Sequence, residues 1–358
     1  MGRTDVRRWL LVDGWRGHGP GWPLAVANGA GLALGAALDL AFGDPRRLHP
    51  VAGFGALAQR LESHWYRPSR PAGLRFAAAA VGLPVAAAAG LAVATRHRPA
   101  VRAIAVAGAT WAVLGGTSLR REAAGLAAAL GTGDLGAARA RLPRLCGRDP
   151  STMDESGLSR ATVESLAENT SDAVVAPLCW GAIAGLPGLI GYRAVNTLDA
   201  MVGHRSPRYR RFGWAAARLD DLANLAPARF AAALTVAAAP VVGGSRRATL
   251  GTWLRYGHRH PSPNAGQCEA SAAGALGVRL GGRNVYAGRV EHRPVLGTGR
   301  DAVPADIARA ARLSAAVGAL AVALTVGHAA TAPARRAVLR RTGRWAAARL
   351  AVRRGRPR

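Results

Sequence analysis

The chain has no lysine: all 48 of its basic residues are arginine, which excludes every phosphate-binding loop that needs one, the Walker A loop first among them. Cysteine is scarce. Cys146, Cys179 and Cys268 stand singly, a spacing that suits neither a disulfide framework nor a paired zinc site and points to a reducing setting. Acid is also in short supply, with 20 acidic residues leaving a net charge of +28 over 358 residues. Such a charge raises nucleic acid as a partner, but no zinc-finger spacing, RNA-binding aromatic box or basic-zipper pattern accompanies it, and no nucleic acid is expected. Aromatics are only 5% of the chain and alanine supplies much of its 50% hydrophobic fraction, so a modest average hydropathy does not argue for solubility.

What the chain does have is long uncharged runs. Residues 21–38, 76–95, 103–119 and 313–334 approach or reach the roughly 20 apolar residues that a helix needs to cross a hydrocarbon core. Buried alanine-rich helices of a soluble bundle are the plain alternative, although small residues also let membrane helices pack closely. Residues 173–192, holding Pro177 and Pro187, and residues 230–245, holding Pro240, are expected to be re-entrant or partly spanning. The expected fold is an all-α, polytopic integral membrane helical protein with polar catalytic loops. Its parts are a polar N-terminal extension (1–20), one membrane-embedded catalytic domain (21–334) and an arginine-rich C-terminal tail (335–358). The tail holds ten arginines and no acid, as expected of a cytoplasmic segment on anionic lipid. The polar, charged 1–20 stretch does not read as a cleavable signal peptide.

Chemistry is expected in the polar segments between the runs. Glu164, Glu168 and Asp172, with Asn169 beside them, recur at four-residue spacing, which places three carboxylates within about 80° of one helix face. Like charges stacked this way are usually tolerated for a cation, and oxygen donors suit Mg²⁺ bridging to phosphates. A solvated acidic face is the alternative. A second segment alternates Arg193, Asn196, Asp199 and Arg205 with Arg218, Asp220, Asp221 and Asn224, where paired aspartates suit a divalent ion and guanidinium forks suit oxyanions. A mutual salt-bridge network would use the same residues. Asp39 and Asp44 flank a Gly-Asp-Pro turn in the first loop, and Asn264 opens a run to Glu269 followed by Gly281 and Gly282, where a backbone can approach a phosphate or a flat ligand. His49, His204, His258 and His260 lack zinc-ligand spacing.

Five ordered blocks carry a resemblance: LDLAFGDPRRLHPV at 38–51, VESLAENTSDAVVAPLCWGAIAGLPG at 163–188, YRAVNTLDAMVGHR at 192–205, FGWAAARLDDLANLAPAR at 212–229 and PSPNAGQCEASAAGALGVRLGG at 261–282. Together they resemble the integral-membrane cobinamide synthases (adenosylcobinamide-phosphate synthases) of cobalamin biosynthesis. Gln267, Cys268 and His204 depart from the pattern. The resemblance implies an ATP-dependent amide ligase that joins adenosylcobyric acid, through its free propionate carboxylate, to (R)-1-amino-2-propanol or its O-phosphate. It further implies ATP with Mg²⁺, a corrinoid substrate, other cobalamin-pathway enzymes as partners and a multi-pass place in the cell membrane with the reaction facing the cytoplasm.

The residues are fitted to that chemistry as follows. Metal ligands are sought in Glu164, Glu168, Asp172, Asp220 and Asp221. The catalytic candidates are Asp199 as base, Glu168 and Arg193. Arg205, Arg218, Asn169, Asn196 and Asn264 are the candidates for holding phosphate, ribose or the carboxamide edge of the corrin. A membrane prenyl- or phospho-alcohol transferase and a transporter are the other readings of the same acids.

Overall fold

The computed structural model describes residues 22–45, 49–204, 206–286 and 289–354. The N-terminal extension to Pro20 and Arg205 therefore lie outside the described residues. Helices dominate, in the order α1 (Trp22–Phe42), α2 (Pro50–Trp65), α3 (Arg70–Ala94), α4 (Pro99–Val113), α5 (Gly116–Gly131), α6 (Leu135–Arg141), α7 (Glu155–Thr170) and α8 (Ala176–Val202). They continue through α9 (Tyr209–Phe212), α10 (Trp214–Ala238), α11 (Arg246–Tyr256), α12 (Ala265–Leu276) and α13 (Pro304–Arg354). Local sequence sets several starts. Ser69, Asp154 and Ser245 accept the backbone N–H of Ala72, Gly157 and Ala248, and Pro50 and Pro99 occupy first-turn positions where a missing N–H costs nothing.

Six helical stretches among the described residues are long and apolar enough to cross a membrane: Pro23–Phe42, Arg70–Ala94, Pro99–Gly131, Glu155–Val202, Trp214–Val242 and Pro304–Ala332. The expected all-α polytopic membrane architecture is thus the one observed. Close approach through small residues holds it together. A side chain at Gly31 would meet the Val106 Cβ at 2.6 Å, and one at Gly35 would meet the Ala107 carbonyl oxygen at 2.6 Å, so α1 and α4 touch backbone to side chain along a four-residue stripe.

The fourth stretch does not run straight. Residues eight apart on a straight helix lie about 12 Å apart, yet a Cβ at Gly188 would collide with the Trp180 carbonyl, and Gly181 lies under the Leu189 side chain. The chain reverses at Gly185, whose φ of 63° and ψ of −139° are open to glycine and strained for any other residue. Residues 173–192 are therefore a helical hairpin: a first arm to Ala184 and a second from Leu186 back to Val202. The other doubtful stretch, 230–245, is the second half of α10, closed by a 3₁₀ turn over Ala239–Val242 and a left-handed Gly243. Because the hairpin returns, the 193–229 segment lies at the same end as the acids of α7.

Pro227 inside α10 has no N–H for the carbonyl four residues earlier, and the Trp180 indole Nε1 donates to that Ala223 oxygen at 3.0 Å. A missing helix bond thus becomes a contact between α10 and the hairpin. The small sheet pairs β1 (Leu280–Tyr286) antiparallel with β2 (Arg289–Leu296), with a bulge at Leu280–Gly282. One core runs through the bundle, and a smaller one gathers Phe76, Leu198, Val202 and Phe212 beneath α2 and α3.

Gly35→Leu is expected to cost about 3 kcal/mol of stability by overpacking α1 against α4. Gly82→Ala, in a helix interior with nothing within 4 Å of the new methyl, is expected to be neutral or stabilising by up to about 1 kcal/mol. Unfolding of the two variants in the same detergent distinguishes them.

Candidate active site

The hairpin, α7, α10 and α12 converge on a cavity of about 1080 Å³. From α7 and the hairpin it receives Glu168, Asn169, Asp172 and Asp199; from α10, Arg218, Asp220, Asp221 and Asn224; from α12 and its approach, His260, Asn264 and Glu269; and from β2, Glu291 to Arg293. Carboxylates outnumber guanidiniums there although the chain as a whole is strongly basic.

The three acids of α7 diverge despite their four-residue spacing. Glu164 is fully buried and committed: Arg148 pairs with it, and the Gly281 backbone N–H donates to its Oε1 at 2.5 Å. Gly281 and Gly282, which suggested a backbone approach to phosphate, instead form the bulge that delivers this N–H, and Arg160 secures the bulge by donating to the Gly281 and Arg283 carbonyls. Glu168, one turn on, faces Glu269 and His260, one donor atom from each lying within 4.8 Å of the others. Asp172 falls in a five-residue π turn, Ser171–Val175, which inserts extra backbone into the helix and turns this acid toward α10. There Asn196 Nδ2 lies between two carboxylates, 3.4 Å from Asp172 Oδ2 and 3.2 Å from Asp220 Oδ1.

Asparagines do most of the binding of charge. Asp220 also accepts from Asn224 Nδ2 at 3.1 Å, and Asn224 Oδ1 accepts from the Tyr192 hydroxyl at 2.9 Å. Asn264 Nδ2 donates to the Asp221 carbonyl at 2.8 Å, while its own Oδ1 is buried without a partner. Arg218 reaches the Asp221 carboxylate at 3.5 Å from an exposed position. A mutual salt-bridge network is therefore not what the described residues form: Asp172, Asp199 and Asp220 are held by amides or none, and Arg208 pairs instead with Glu62 of α2 at 3.0 Å.

The donor chemistry suits a hard divalent ion. Glu168, Asp172, Asp220, Asp221 and Glu269 are oxygen donors of the kind that bind Mg²⁺. His260 is a poor ligand: its Nδ1 accepts from the Ser262 N–H at 3.0 Å and its Nε2 lies 3.1 Å from the Arg293 guanidinium, so no ring nitrogen is left to face a cation. Burial, only partly opposed by the Glu168 charge, keeps this imidazole neutral to lower pH than usual.

Of the residues singled out in the sequence, Glu168, Asn169, Asp172, Asp199, Arg218, Asp220, Asp221 and Asn264 line the chamber. Asn196 sits behind it as a bridge, Glu164 is withdrawn from it, and Arg193 opens into a neighbouring cavity. Glu269 and Arg148 had been given no role. The signal for Glu269 is present in the sequence: it is the sole charged residue in AGQCEASAAGAL, a helix otherwise of small residues, one amide and one leucine. Arg148 carries no such mark, lying in a loop 16 residues from its partner.

Fold and site together define a polytopic helical membrane protein whose carboxylate-lined chamber is assembled from separate stretches of the chain. Residues 32–314 match the CobD/Cbib protein family, and the chain belongs to that family. It is 53% identical over 298 residues to the cobalamin biosynthesis protein CobD of Mycobacterium tuberculosis, a match that covers 83% of this chain and 94% of that protein. With the cobalamin biosynthesis protein CobD of Rhodobacter capsulatus it shares 45% over 288 residues, 78% of this chain and 89% of the other. No solved structure matches the chain.

The buried acids carry two predictions. Glu164→Gln removes the carboxylate charge paired with buried Arg148 and is expected to cost about 3 kcal/mol in unfolding measured in detergent. Glu269 behaves differently: burial, reinforced by the Glu168 and Glu164 charges, lifts its carboxyl well above the usual range. The folded protein then holds this proton to higher pH than the unfolded chain, so the associated stability is complete below about pH 4 and is lost as pH rises through the folded value. With divalent ions chelated, Glu269→Gln is expected to melt above the native chain near pH 8 and together with it near pH 4.

Proposed function

We propose that this protein is the ATP-dependent amide ligase of its pathway, joining adenosylcobyric acid to (R)-1-amino-2-propanol or its O-phosphate to give adenosylcobinamide or its phosphate. The observation that carries the reading is the convergence of Glu168, Asp172, Asp199, Asp220, Asp221 and Glu269 on one chamber of about 1080 Å³. Membership of a family whose curated relatives are cobalamin biosynthesis proteins supplies the substrate class.

A carboxylate is a poor electrophile, and ATP makes it a good one: the propionate oxygen takes the terminal phosphoryl group, giving an acyl phosphate and ADP. The amine then attacks the acyl carbon, the C–N bond forms, the nitrogen sheds a proton and phosphate departs. Bound Mg²⁺ would neutralise the phosphates, with Asp172, Asp220, Asp221 and Glu168 as its holders. Asp199, which lines the chamber from the returning arm of the hairpin, would take the proton from the incoming ammonium. Asn264, whose Oδ1 is buried and unpartnered, presents an acceptor to an N–H of the substrate, and Asn169 lines the same wall. Asn196 and Asn224 act on the acids rather than the substrate by fixing the Asp220 carboxylate. Arg218 at the exposed rim supplies positive charge where anionic substrates enter. ATP-driven turnover requires the chamber end to face the cytoplasm, where ATP is available.

The test uses purified protein in detergent or vesicles with adenosylcobyric acid, aminopropanol phosphate and Mg-ATP, each omitted in turn. An amide whose formation requires ATP and releases ADP is expected. Glu168→Gln and Asp172→Asn are each expected to lower kcat at least about 100-fold while the protein remains folded. Release of diphosphate, or adduct formation without ATP, would replace the ligase by a transferase, and accumulation of label without covalent product would replace it by a transporter.

A further inference from the structure

Arg193 is at odds with its surroundings. It lies on the second arm of the hairpin, within a stretch apolar enough to cross a membrane, and its side chain forms no hydrogen bond or ion pair with any described residue. Its Nε is buried without a partner. A guanidinium carries five donors and cannot shed its charge, so a half-buried one with no side-chain partner among the described residues favours the arrival of an anion. Asp44 and Asp172 act on it only through space.

The guanidinium does not open into the carboxylate chamber. It lines a separate cavity of about 570 Å³ between α2 and α8, facing His49, Gln59, Thr197 and Tyr209. Three features make that cavity receptive to an oxyanion. The N-terminus of α2, a 16-residue helix beginning at Pro50, opens on its wall at His49, Val51 and Ala52, adding partial positive charge. His49 Nδ1 accepts the Val51 N–H at 3.2 Å, which leaves the neutral ring its proton on Nε2, a donor 4.0 Å from Asp44 Oδ2 and so not hydrogen-bonded to that carboxylate. Among the described residues the one carboxylate lining the cavity is Glu62, committed to Arg208 at 3.0 Å and the Tyr209 hydroxyl at 2.9 Å. Below Arg193 the cavity meets an apolar pocket of about 180 Å³ that includes Phe54 and Ile190 and gives a small organic ligand room beside its charged group.

We infer that the cavity between α2 and α8 is an oxyanion seat, distinct from the carboxylate chamber, in which Arg193 grips the phosphate or carboxylate group of a small substrate. The division follows charge. A chamber rich in carboxylates repels a bare oxyanion and accepts ammonium groups and metal-bound phosphates, whereas the Arg193 cavity does the reverse. Within the ligase reading, on which only the ligand's identity rests, the seat holds either the phosphate of the amine substrate or a carboxylate of the corrinoid.

Binding is tested on the whole protein in detergent with two probes, inorganic phosphate and propionate, by the rise in Tm against chloride at equal ionic strength. A rise in the native chain that is lost in Arg193→Gln and kept in part by Arg193→Lys is the expected result. Thr197→Asp, one turn from Arg193, supplies a fixed counter-anion; it is expected to raise Tm without added anion and to abolish the response to both probes. Half-saturation at a tenfold lower concentration of phosphate than of propionate assigns the seat to the phosphoryl group, and the opposite order assigns it to a carboxylate. In the coupled assay, Arg193→Lys is expected to raise KM for the substrate bearing that group at least tenfold with KM for ATP unchanged. Equal responses of the native chain and Thr197→Asp, or no response of the native chain to either anion, overturns the seat. Because the binding arm needs no turnover, absence of amide synthesis with the anion response intact removes the ligase and leaves the seat standing.

Discussion

Like-charged carboxylates held close together in a poorly solvated helix bundle repel one another, and the architecture of this protein is organised around containing that repulsion. Guanidiniums would contain it most simply, and the chain has many, but an acid paired to arginine is no longer free to meet a cation. Two acids at the centre of the chamber, Asp172 and Asp220, are instead restrained by neutral amides. Asn196 bridges Asp172 and Asp220, Asn224 takes the second oxygen of Asp220, and Tyr192 fixes Asn224 in turn. Each donor stabilises the ionised acid without cancelling its charge. Glu164 shows the contrasting outcome: about two turns before Asp172, paired with Arg148 and a backbone N–H, it belongs to the fabric of the fold.

Much of this was legible in the sequence. Uncharged runs at helical length gave the membrane helices because hydrophobic length is a one-dimensional property that survives without knowledge of neighbours. The hairpin was legible only as a doubt over residues 173–192. Its pivot is one glycine among many, and Pro187 two residues on marks a break without deciding between a kink and a reversal. The hairpin nonetheless decides the site, because it returns Asn196 and Asp199 to the level of Asp172.

The acids of the chamber were legible as residue types and less so as a constellation. Four-residue spacing placed Glu164, Glu168 and Asp172 on one stripe, which assumes an unbroken α-helix. The π turn at Ser171–Val175 breaks that assumption for Asp172, and the bulge at Gly281 withdraws Glu164. Periodicity cannot register either event, since one is an inserted backbone residue and the other a contact across more than a hundred residues. Glu269 was within reach, because a lone carboxylate in a helix of small residues is costly wherever it is buried.

The reversal at Gly185 also bears on how the chain enters its membrane during synthesis. Between Asp172 and Arg193 there is no charged residue, and both flanking charges remain at the end from which the hairpin departs. The two arms can therefore be delivered as a single uncharged loop, tip first. No acid of the chamber need be dragged through hydrocarbon on the way to its place, and biogenesis and catalysis make the same demand on one glycine.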